Sequence, residues 1–372
     1  MPNKTYIILL LITVFTSFAQ VGPGKIAKCD RTLWPFEINS SKSFDVASKC
    51  EMLVFAKVFN EFNEIPDAEL ELLIGIKKLN SNSVKIWKEA TKKIIIDNFN
   101  NLSDDALLEI IAIPKKNTWE TISKIAKEDN FPKNLNRWFL PSKKFYEVYL
   151  SEQIRLAAYH PRLTSEILEL SKAEILGSEF AQKQFLLTFD DGPTPQSGNT
   201  DKLIKVLNEY KLTSMFFVLG NALNDRLKTS KNLADLYGEN LVYSHGKEHK
   251  SHQKYENWKE SLDFTSQLID KTFPKQNGKV YFRPPYGQRN QTIFDYLDKS
   301  GSKIILWNMD SQDWSANINA QEVADRQIKL MLLWRKGILL FHDVHPKAQI
   351  AVPIIYDFFK NCGIVWINPK IL

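Results

Sequence analysis

The sequence has few cysteines, no extended run of one charge and only one long apolar stretch. Three cysteines among 372 residues exclude a disulfide-dense scaffold, and the absence of a Cys-x-x-Cys pair argues against a structural zinc ribbon. The basic excess is small, with 49 Lys and Arg against 43 Asp and Glu, and no more than two basic residues follow one another. This distribution is typical of a solvated surface. We therefore expect no nucleic-acid partner.

The long apolar stretch lies at the N-terminus. Lys4 precedes an apolar run over residues 6–15, and small residues follow up to Ala19. This order is typical of a signal peptide cleaved after Ala19, and the run is shorter than the ~20 residues that cross a bilayer. Residues 1–19 are therefore predicted to be an export signal, the alternative being an uncleaved anchor. We expect a periplasmic, secreted or cell-envelope protein with no transmembrane segment in the mature chain.

Export bears on the three cysteines, because disulfides form and persist in oxidising compartments. Cys29 and Cys50 are then a candidate pair, which would leave Cys362 unpaired. Three buried thiols are the alternative, and the sequence leaves both open.

The pattern of the chain changes near residue 180. From about residue 44 to 178, apolar residues recur at spacings of three and four between prolines, which is typical of a series of helices. This region contains one histidine, His160, and no motif with recognisable chemistry. Residues 20–180 are therefore predicted to form an α-helical domain of unknown role. Its tryptophans are expected in the core, the alternative being a sugar-binding groove. They are Trp34, Trp87, Trp119 and Trp138.

Residues 181–372 alternate short apolar or β-branched runs with longer amphipathic segments. This alternation predicts parallel strands joined by helical crossovers, in a sheet that is buried on both faces. Seven strands are predicted, at residues 185–189, 215–219, 241–244, 280–282, 304–307, 338–341 and 364–367. The helices predicted between them include residues 201–210, 258–273, 293–300 and 320–334.

Polar side chains that could carry chemistry follow most of these strands. In a β/α barrel the strand ends meet at one mouth, whereas an open sheet would spread these residues along a line. The fold class is therefore predicted to be α/β, a distorted (β/α)7-type barrel preceded by the mostly α-helical domain. In chain order the polar residues are Asp190, Asp191, His245, His249, Arg283, Asp310, Asp313 and His342.

Two histidines and one aspartate can hold a divalent metal ion with positions left open for water. His245 and His249 are four residues apart, so a helical turn or a tight loop places both rings on one side. A bound ion lowers the pKa of its water to about 7. A second carboxylate can accept the proton, and a distant histidine can protonate a leaving group. The set describes metal-assisted hydrolysis of an ester or an amide.

Five short segments of this half carry the polar residues. They are Thr188-Phe-Asp-Asp-Gly-Pro193, Ser244-His-Gly-Lys-Glu-His249, Arg283-Pro-Pro-Tyr-Gly287, Asp310-Ser-Gln-Asp-Trp314 and Leu340-Phe-His-Asp343. These segments resemble, in order, the five motifs of the NodB-homology polysaccharide deacetylases, carbohydrate esterase family 4, and residues 213–220 resemble the family's second strand. The resemblance covers roughly residues 183–370 and implies a NodB-like barrel.

The resemblance also implies a ligand set. Asp191, His245 and His249 would ligate one divalent metal ion, with zinc as the preferred ion and cobalt or nickel also tolerated. Gly246 departs from the family, which usually has Ser or Thr at this position. His249 and His252 form a competing pair at a spacing of three, and we prefer His245 with His249 because His245 directly follows a strand.

Two further residues would transfer protons, and two more would hold them in place. Asp190 would act as the base on the metal-bound water, and Arg283 would hold it in place and keep it ionised, as a neighbouring guanidinium should. His342 would protonate the departing amine, and Asp313 would orient His342 and stabilise its imidazolium.

Three residues would contact the substrate. The backbone N–H of Tyr286 would bind the oxyanion together with the metal, and Trp314 and Leu340 would wall an apolar pocket for the acetyl methyl group. His252 and His345 match no ligand position and are expected to be supporting or surface residues.

The implied activity is removal of N-acetyl groups from N-acetylglucosamine units of an acetylated polysaccharide or oligosaccharide. Peptidoglycan, chitin-type oligomers and an exopolysaccharide are the candidates, in that order. Two alternatives stay open: an O-acetyl esterase that acts on a glycan such as xylan, and a non-catalytic carbohydrate-binding protein. The sequence leaves the oligomeric state open.

Overall fold

The computed structural model describes residues 24–127, 130–230, 232–274 and 280–372. The export signal predicted at residues 1–19 lies outside these ranges. None of the described helices has both the length and the apolar composition that a membrane span requires.

The N-terminal half is helical, as predicted. Two of its long helices begin at side-chain caps, Ser40 and Asn80. Ser40 and Ser43 form a capping box in which each hydroxyl accepts a hydrogen bond from the other residue's backbone N–H. The α-helices in the described part of this half are α1 (Ser41–Glu64), α2 (Asp67–Ile74), α3 (Ser81–Asn100), α4 (Asp104–Leu108), α5 (Trp119–Ile125) and α6 (Asn136–Tyr159).

The tryptophans of this half lie in the core, as predicted. Trp34, Trp87 and Trp138 are 7%, 5% and 3% exposed, and Trp119 packs against the same core. Apolar burial explains these residues without a sugar-binding role.

All three cysteines lie in described segments, and none is bonded to another. The pairing of Cys29 with Cys50 that the sequence left open is therefore not formed in the structure. Burial raises the pKa of both Cys29 and Cys50 to about 12, so both stay protonated thiols at neutral pH.

The C-terminal half is built on one parallel sheet, which confirms the predicted strand pairing. The strand order is β5-β4-β3-β2-β1-β7-β6, and β8 also pairs with β1. The strands are β1 (Gln184–Asp190), β2 (Met215–Val218), β3 (Leu241–Ser244), β4 (Val280–Phe282), β5 (Ser302–Ile304), β6 (Met309–Asp310), β7 (Gly337–His342) and β8 (Val365–Trp366).

Seven described helices accompany these strands. They are α7 (Asn199–Glu209), α8 (Gly220–Leu227), α9 (Leu233–Tyr237), α10 (Trp258–Thr272), α11 (Gln291–Lys299), α12 (Ala320–Trp334) and α13 (Ala348–Phe359).

The sheet curls because the chain runs directly from one of its edges to the other. The edge strands β5 and β6 are separated by residues 305–308 alone. Seven flat strands would hold the edges about 29 Å apart, whereas this short link reaches at most about 18 Å. The distorted barrel predicted from the sequence is therefore confirmed.

One predicted strand ends early. The sequence pattern predicts a strand over residues 304–307, but β5 ends at Ile304 and an unpredicted short strand, β6, follows. Residues 305 and 306 are apolar and buried, yet the Ile305 and Leu306 carbonyls accept hydrogen bonds from the Arg283 guanidinium, and Ile305 forms an isolated bridge with Ile175. Apolar burial alone cannot distinguish such a segment from a regular strand.

Helix α12 joins the two halves. Every residue from Val323 to Trp334 is buried, and α12 packs against α1 and α13. Its cations pair with carboxylates of the N-terminal helices at 2.5–2.9 Å. One core contains side chains from both sides of residue 180, and the domain boundary predicted there stays a prediction. The ion pairs between α12 and the N-terminal helices are Arg326 with Glu152, Lys329 with Glu51, and Arg335, just after the helix, with Asp45.

We predict that Arg326→Met lowers the free energy of unfolding by about 3–5 kcal/mol, because it leaves the buried Glu152 carboxylate without its counter-ion. Lys28→Met is the matched control, since it breaks the solvent-exposed ion pair of Lys28 with Glu322 and is expected to cost far less. Urea unfolding of both variants measures the difference. Equal shifts of the two midpoints would contradict a dominant role for the buried pair.

Candidate metal centre and active site

The strand register brings the predicted site residues to one level. Asp190 at the end of β1 lies beside His342 at the end of β7, and Ser244 of β3 lies beside Phe282 of β4. His245 and Arg283 are the next residues after Ser244 and Phe282. Because all these strands run parallel, their carboxyl ends open at the same mouth of the barrel.

Asp191, His245 and His249 form a cluster that could hold a metal ion. One possible ligand atom from each lies within 4.8 Å of the others. The Asp191 Oδ1 atom is 3.5 Å from His245 Nε2 and 3.6 Å from His249 Nε2. The cluster contains His249 rather than His252, in line with the preferred pair.

The donor atoms of this cluster fit a divalent cation. Within the described residues, the buried Asp191 Oδ1 atom makes no hydrogen bond, although a buried carboxylate oxygen normally has a partner. The Nδ1 atom of His245 lies 2.7 Å from the Arg283 carbonyl, so it carries the proton and Nε2 is left as a ligand atom. Burial and the nearby His249 lower the pKa of His245 well below its usual value, which favours the neutral, ligating form.

Backbone hydrogen bonds hold the loop that carries the two histidines. The His245 N–H donates to the Val218 carbonyl, and the Gly220 N–H donates to the Gly246 carbonyl. Gly246 has φ +84°, a left-handed conformation that glycine adopts without strain. The segment after β3 is thus tied to the end of β2, which places both rings over the mouth.

Asp190 is paired with a buried cation. It is 2% exposed, and its Oδ1 atom accepts a hydrogen bond from Arg283 Nη1 at 2.8 Å. Arg283 Nη1 also donates to the Thr188 hydroxyl at 2.8 Å. Burial raises the pKa of Asp190 to about 6 although Arg283 opposes the rise. The carboxylate therefore predominates at pH 7, close to the point where it can take up a proton.

His342 is held by Asp313 through two contacts. Its Nδ1 atom is 2.8 Å from Asp313 Oδ1, and its backbone N–H donates to Asp313 Oδ2 at 3.0 Å. Burial disfavours the imidazolium, but the charge and hydrogen bond of Asp313, with the carboxylates of Asp191 and Asp190, raise the pKa of His342 to about 10. At neutral pH the ring is charged, and its Nε2 atom is left free of the Asp313 bond.

The three predicted substrate-binding residues differ in exposure. Tyr286 is 54% exposed, has φ +60°, and its ring centroid lies 4.3 Å from that of His249. Trp314 is 37% exposed and directly follows Asp313, whereas Leu340 is buried in β7. Tyr286 is therefore placed beside the metal cluster, and Trp314 beside the Asp313 and His342 pair.

The structure adds Asp343, which was seen in the sequence only as part of a motif. Its carboxylate is buried against Gly192 and accepts a hydrogen bond from the Thr200 hydroxyl at 2.7 Å, while its N–H donates to the Asp190 carbonyl. Burial raises its pKa to about 7. Its position directly after His342 was the feature of the sequence that could have identified it as a site residue. It supports the turn that carries Asp190 and Asp191.

The other polar residues that the sequence singled out lie around this centre. The Asp310 carboxylate accepts hydrogen bonds from the backbone and the side chain of Gln312. His345 lies with its ring centroid 6.2 Å from that of His342. His252 is completely buried and faces Ser261 rather than the metal cluster.

Part of the chain matches a known protein family. Residues 177–305 match the family described as polysaccharide deacetylase. A peptidoglycan-N-acetylglucosamine deacetylase of Bacillus cereus is 27% identical over 221 residues, which cover 56% of this chain and 76% of that protein. A bifunctional xylanase/xylan deacetylase of Cellvibrio japonicus is 33% identical over 161 residues, 42% of this chain and 22% of that protein.

A solved structure is also similar. It is the Bc1960 peptidoglycan N-acetylglucosamine deacetylase, with a TM-score of 0.45 and 20% identity, over 52% of this chain and 90% of that one. The matched part of this chain thus spans most of the Bacillus cereus protein and about a fifth of the Cellvibrio japonicus protein.

We predict that His245→Ala abolishes stoichiometric zinc binding, because it removes one of three ligand atoms from the cluster. His345→Ala, which removes a histidine outside the cluster, should bind zinc like the unmodified protein. Zinc content after dialysis, measured by atomic emission, checks both. Full occupancy in the His245 variant would exclude this residue as a ligand.

Proposed function

We propose that this protein is a metal-dependent hydrolase that removes N-acetyl groups from N-acetylglucosamine units of a polysaccharide, because residues 177–305 match the polysaccharide deacetylase family. The observation that carries the proposal is the meeting of a possible metal cluster, a buried carboxylate and an Asp-supported histidine at one barrel mouth. Peptidoglycan is the preferred substrate, followed by chitin-type oligomers and an exopolysaccharide.

Asp191, His245 and His249 would hold one divalent ion, with zinc preferred and cobalt or nickel as alternatives. Such an ion supplies Lewis acidity, which lowers the pKa of a coordinated water and polarises the acetyl carbonyl. The ligand set leaves positions for water and substrate, as catalytic zinc sites require.

Asp190 would act as the general base. Its carboxylate lies close to the cluster, with Oδ2 3.8 Å from His245 Nε2, so it can accept a proton from the attacking water. Arg283 occupies Oδ1 and fixes the direction in which the other oxygen faces. A base with a pKa near 6 is ionised at neutral pH and still basic enough to accept a proton.

His342 would act as the general acid. As water adds to the acetyl carbon and the carbon–nitrogen bond breaks, the amine nitrogen takes the Nε2 proton of His342 and acetate departs. Asp313 holds the ring through Nδ1 and compensates its charge before transfer. A protonated group placed on the leaving-group side can contribute about 10²–10⁴-fold to the rate.

The remaining predicted residues would bind the acetyl group. The Tyr286 N–H would donate to the oxyanion, an interaction that strengthens as negative charge develops. Trp314 and Leu340 would wall the pocket of the methyl group. The export signal predicted in residues 1–19 is consistent with a substrate in the cell envelope.

We predict that the protein releases acetate from N-acetylglucosamine oligomers and peptidoglycan when zinc is present. A chelator should abolish the release, and added zinc should restore it, because the nucleophilic water depends on the ion. Acetate is measured by a coupled enzymatic assay, with acetylated xylan as the comparison substrate.

Each other outcome of this assay selects another function. Acetate from acetylated xylan but not from the amide substrates would identify an O-acetyl esterase. No acetate from any glycan with zinc bound would leave a carbohydrate-binding protein.

We predict that Asp190→Asn lowers kcat/KM by about 10²–10⁴-fold, because the amide cannot accept the proton, while zinc stays bound. His342→Ala should cause a comparable loss through kcat, since the leaving amine is no longer protonated. Steady-state kinetics and zinc content are measured on the same preparations. Activity within tenfold of the unmodified protein would exclude the assigned base or acid role.

A further inference from the structure

His252 is completely buried beside the cluster of candidate metal ligands, Asp191, His245 and His249, without belonging to it. Its Nδ1 atom lies 3.0 Å from the Lys250 carbonyl, and its Nε2 atom lies 3.1 Å from the Ser261 hydroxyl on α10. The Ser261 hydroxyl oxygen in turn lies 2.7 Å from the backbone N–H of Lys247, between the two histidines of the cluster.

When the His252 ring is neutral, one arrangement of protons satisfies all three contacts. A carbonyl can only accept, so His252 Nδ1 must carry the hydrogen, and Nε2 is then an acceptor for the Ser261 hydroxyl. That hydroxyl oxygen accepts from the Lys247 N–H. Burial lowers the pKa of His252 to about 4, which keeps the ring in this neutral form. The chain of bonds therefore runs from the metal-binding loop through Ser261 to His252.

The His252 ring also fills the space above Gly246. A Cβ atom at residue 246 would lie 2.5 Å from the ring Cε1 atom and 2.9 Å from Nε2, closer than any side chain tolerates. Gly246 is the residue where the sequence departs from the Ser or Thr of the family it resembles. The ring thus occupies the position that a side chain at residue 246 would take.

We propose that His252 is a positioning residue, which fixes the loop carrying His245 and His249 through Ser261 and the Lys247 N–H, in the place of a side chain at residue 246. The inference rests on the metal site proposed above. Groups that orient metal ligands from outside the ligand set typically change metal affinity 10–100-fold when they are removed.

The first test determines the tautomer. Long-range ¹H–¹⁵N correlation spectra of the histidine-labelled full chain should show His252 protonated at Nδ1 and bare at Nε2. The His252→Phe variant assigns the signals. A ring protonated at Nε2, or at both nitrogens at neutral pH, would overturn the proposed direction of the bonds.

The second test is a double-mutant cycle on zinc affinity, measured by competition with a chromogenic chelator. His252→Phe keeps a ring above Gly246 but cannot accept a hydrogen bond, and Ser261→Ala removes the link. Each is expected to weaken zinc binding about 10–100-fold, and the double variant should lose no more than the worse single variant. His252→Gln, which offers an acceptor oxygen to Ser261, should recover part of the affinity.

Thr272→Val is the matched control, because it removes a hydroxyl on the same helix that, among the described residues, donates to the Leu268 carbonyl and has no contact with the metal-binding loop. It should leave zinc affinity unchanged. If the unmodified protein binds zinc and His252→Phe binds it equally well, or only the melting temperature changes, this inference fails and the proposed function stands. Additive losses in the cycle would also overturn it. If the unmodified protein binds no metal, both fail together.

Discussion

The barrel and the site both depend on the hydrogen bonds and the ion pair of the buried Arg283 guanidinium. It is fully buried, pairs with Asp190, and donates to the Ile305 and Leu306 carbonyls in the link between the two edge strands. A buried charge is tolerated only when its hydrogen-bonding groups find partners. The end of β4, the end of β1 and the β5–β6 link must therefore stay together. One group thus helps to hold the curl of the sheet and places the carboxylate that we propose as the base.

The helical half supports the same centre from outside the barrel. Arg326 of α12 bonds Glu152 of α6, and its Nε atom donates to the Asp310 carbonyl at the start of the segment that carries Asp313. Asp313 in turn contacts the Nδ1 atom and the backbone N–H of His342. Three successive contacts therefore connect the N-terminal helices to the group we propose as the acid. The link between the two edge strands contains no helix, so other elements must shield this part of the sheet from solvent. Helices α1 and α3 of the N-terminal half both pack against α12.

Much of the fold and of the candidate site was predictable because the signals are local. Apolar runs that end in Asp190 or Ser244 mark buried strands, and parallel strands bring their ends together wherever they stand in the sequence. The parts that were missed depend on long-range contacts. The early end of β5 follows from the carbonyls that Arg283 takes up. The role of Asp343 follows from its packing on Gly192, and no pattern in the surrounding residues encodes either contact.

The sequence by itself determined which residue types stand after which strands, and hence the reaction class that their chemistry allows. The tertiary structure decided how those groups are tuned. Burial moves the pKa of Asp190 up to about 6, whereas Asp313 moves that of His342 up to about 10. The tertiary structure also decided that His249 joins the cluster of candidate ligands, while His252 faces Ser261. Desolvation and hydrogen-bond partners arise only when distant segments pack together, so spacing along the chain cannot specify them.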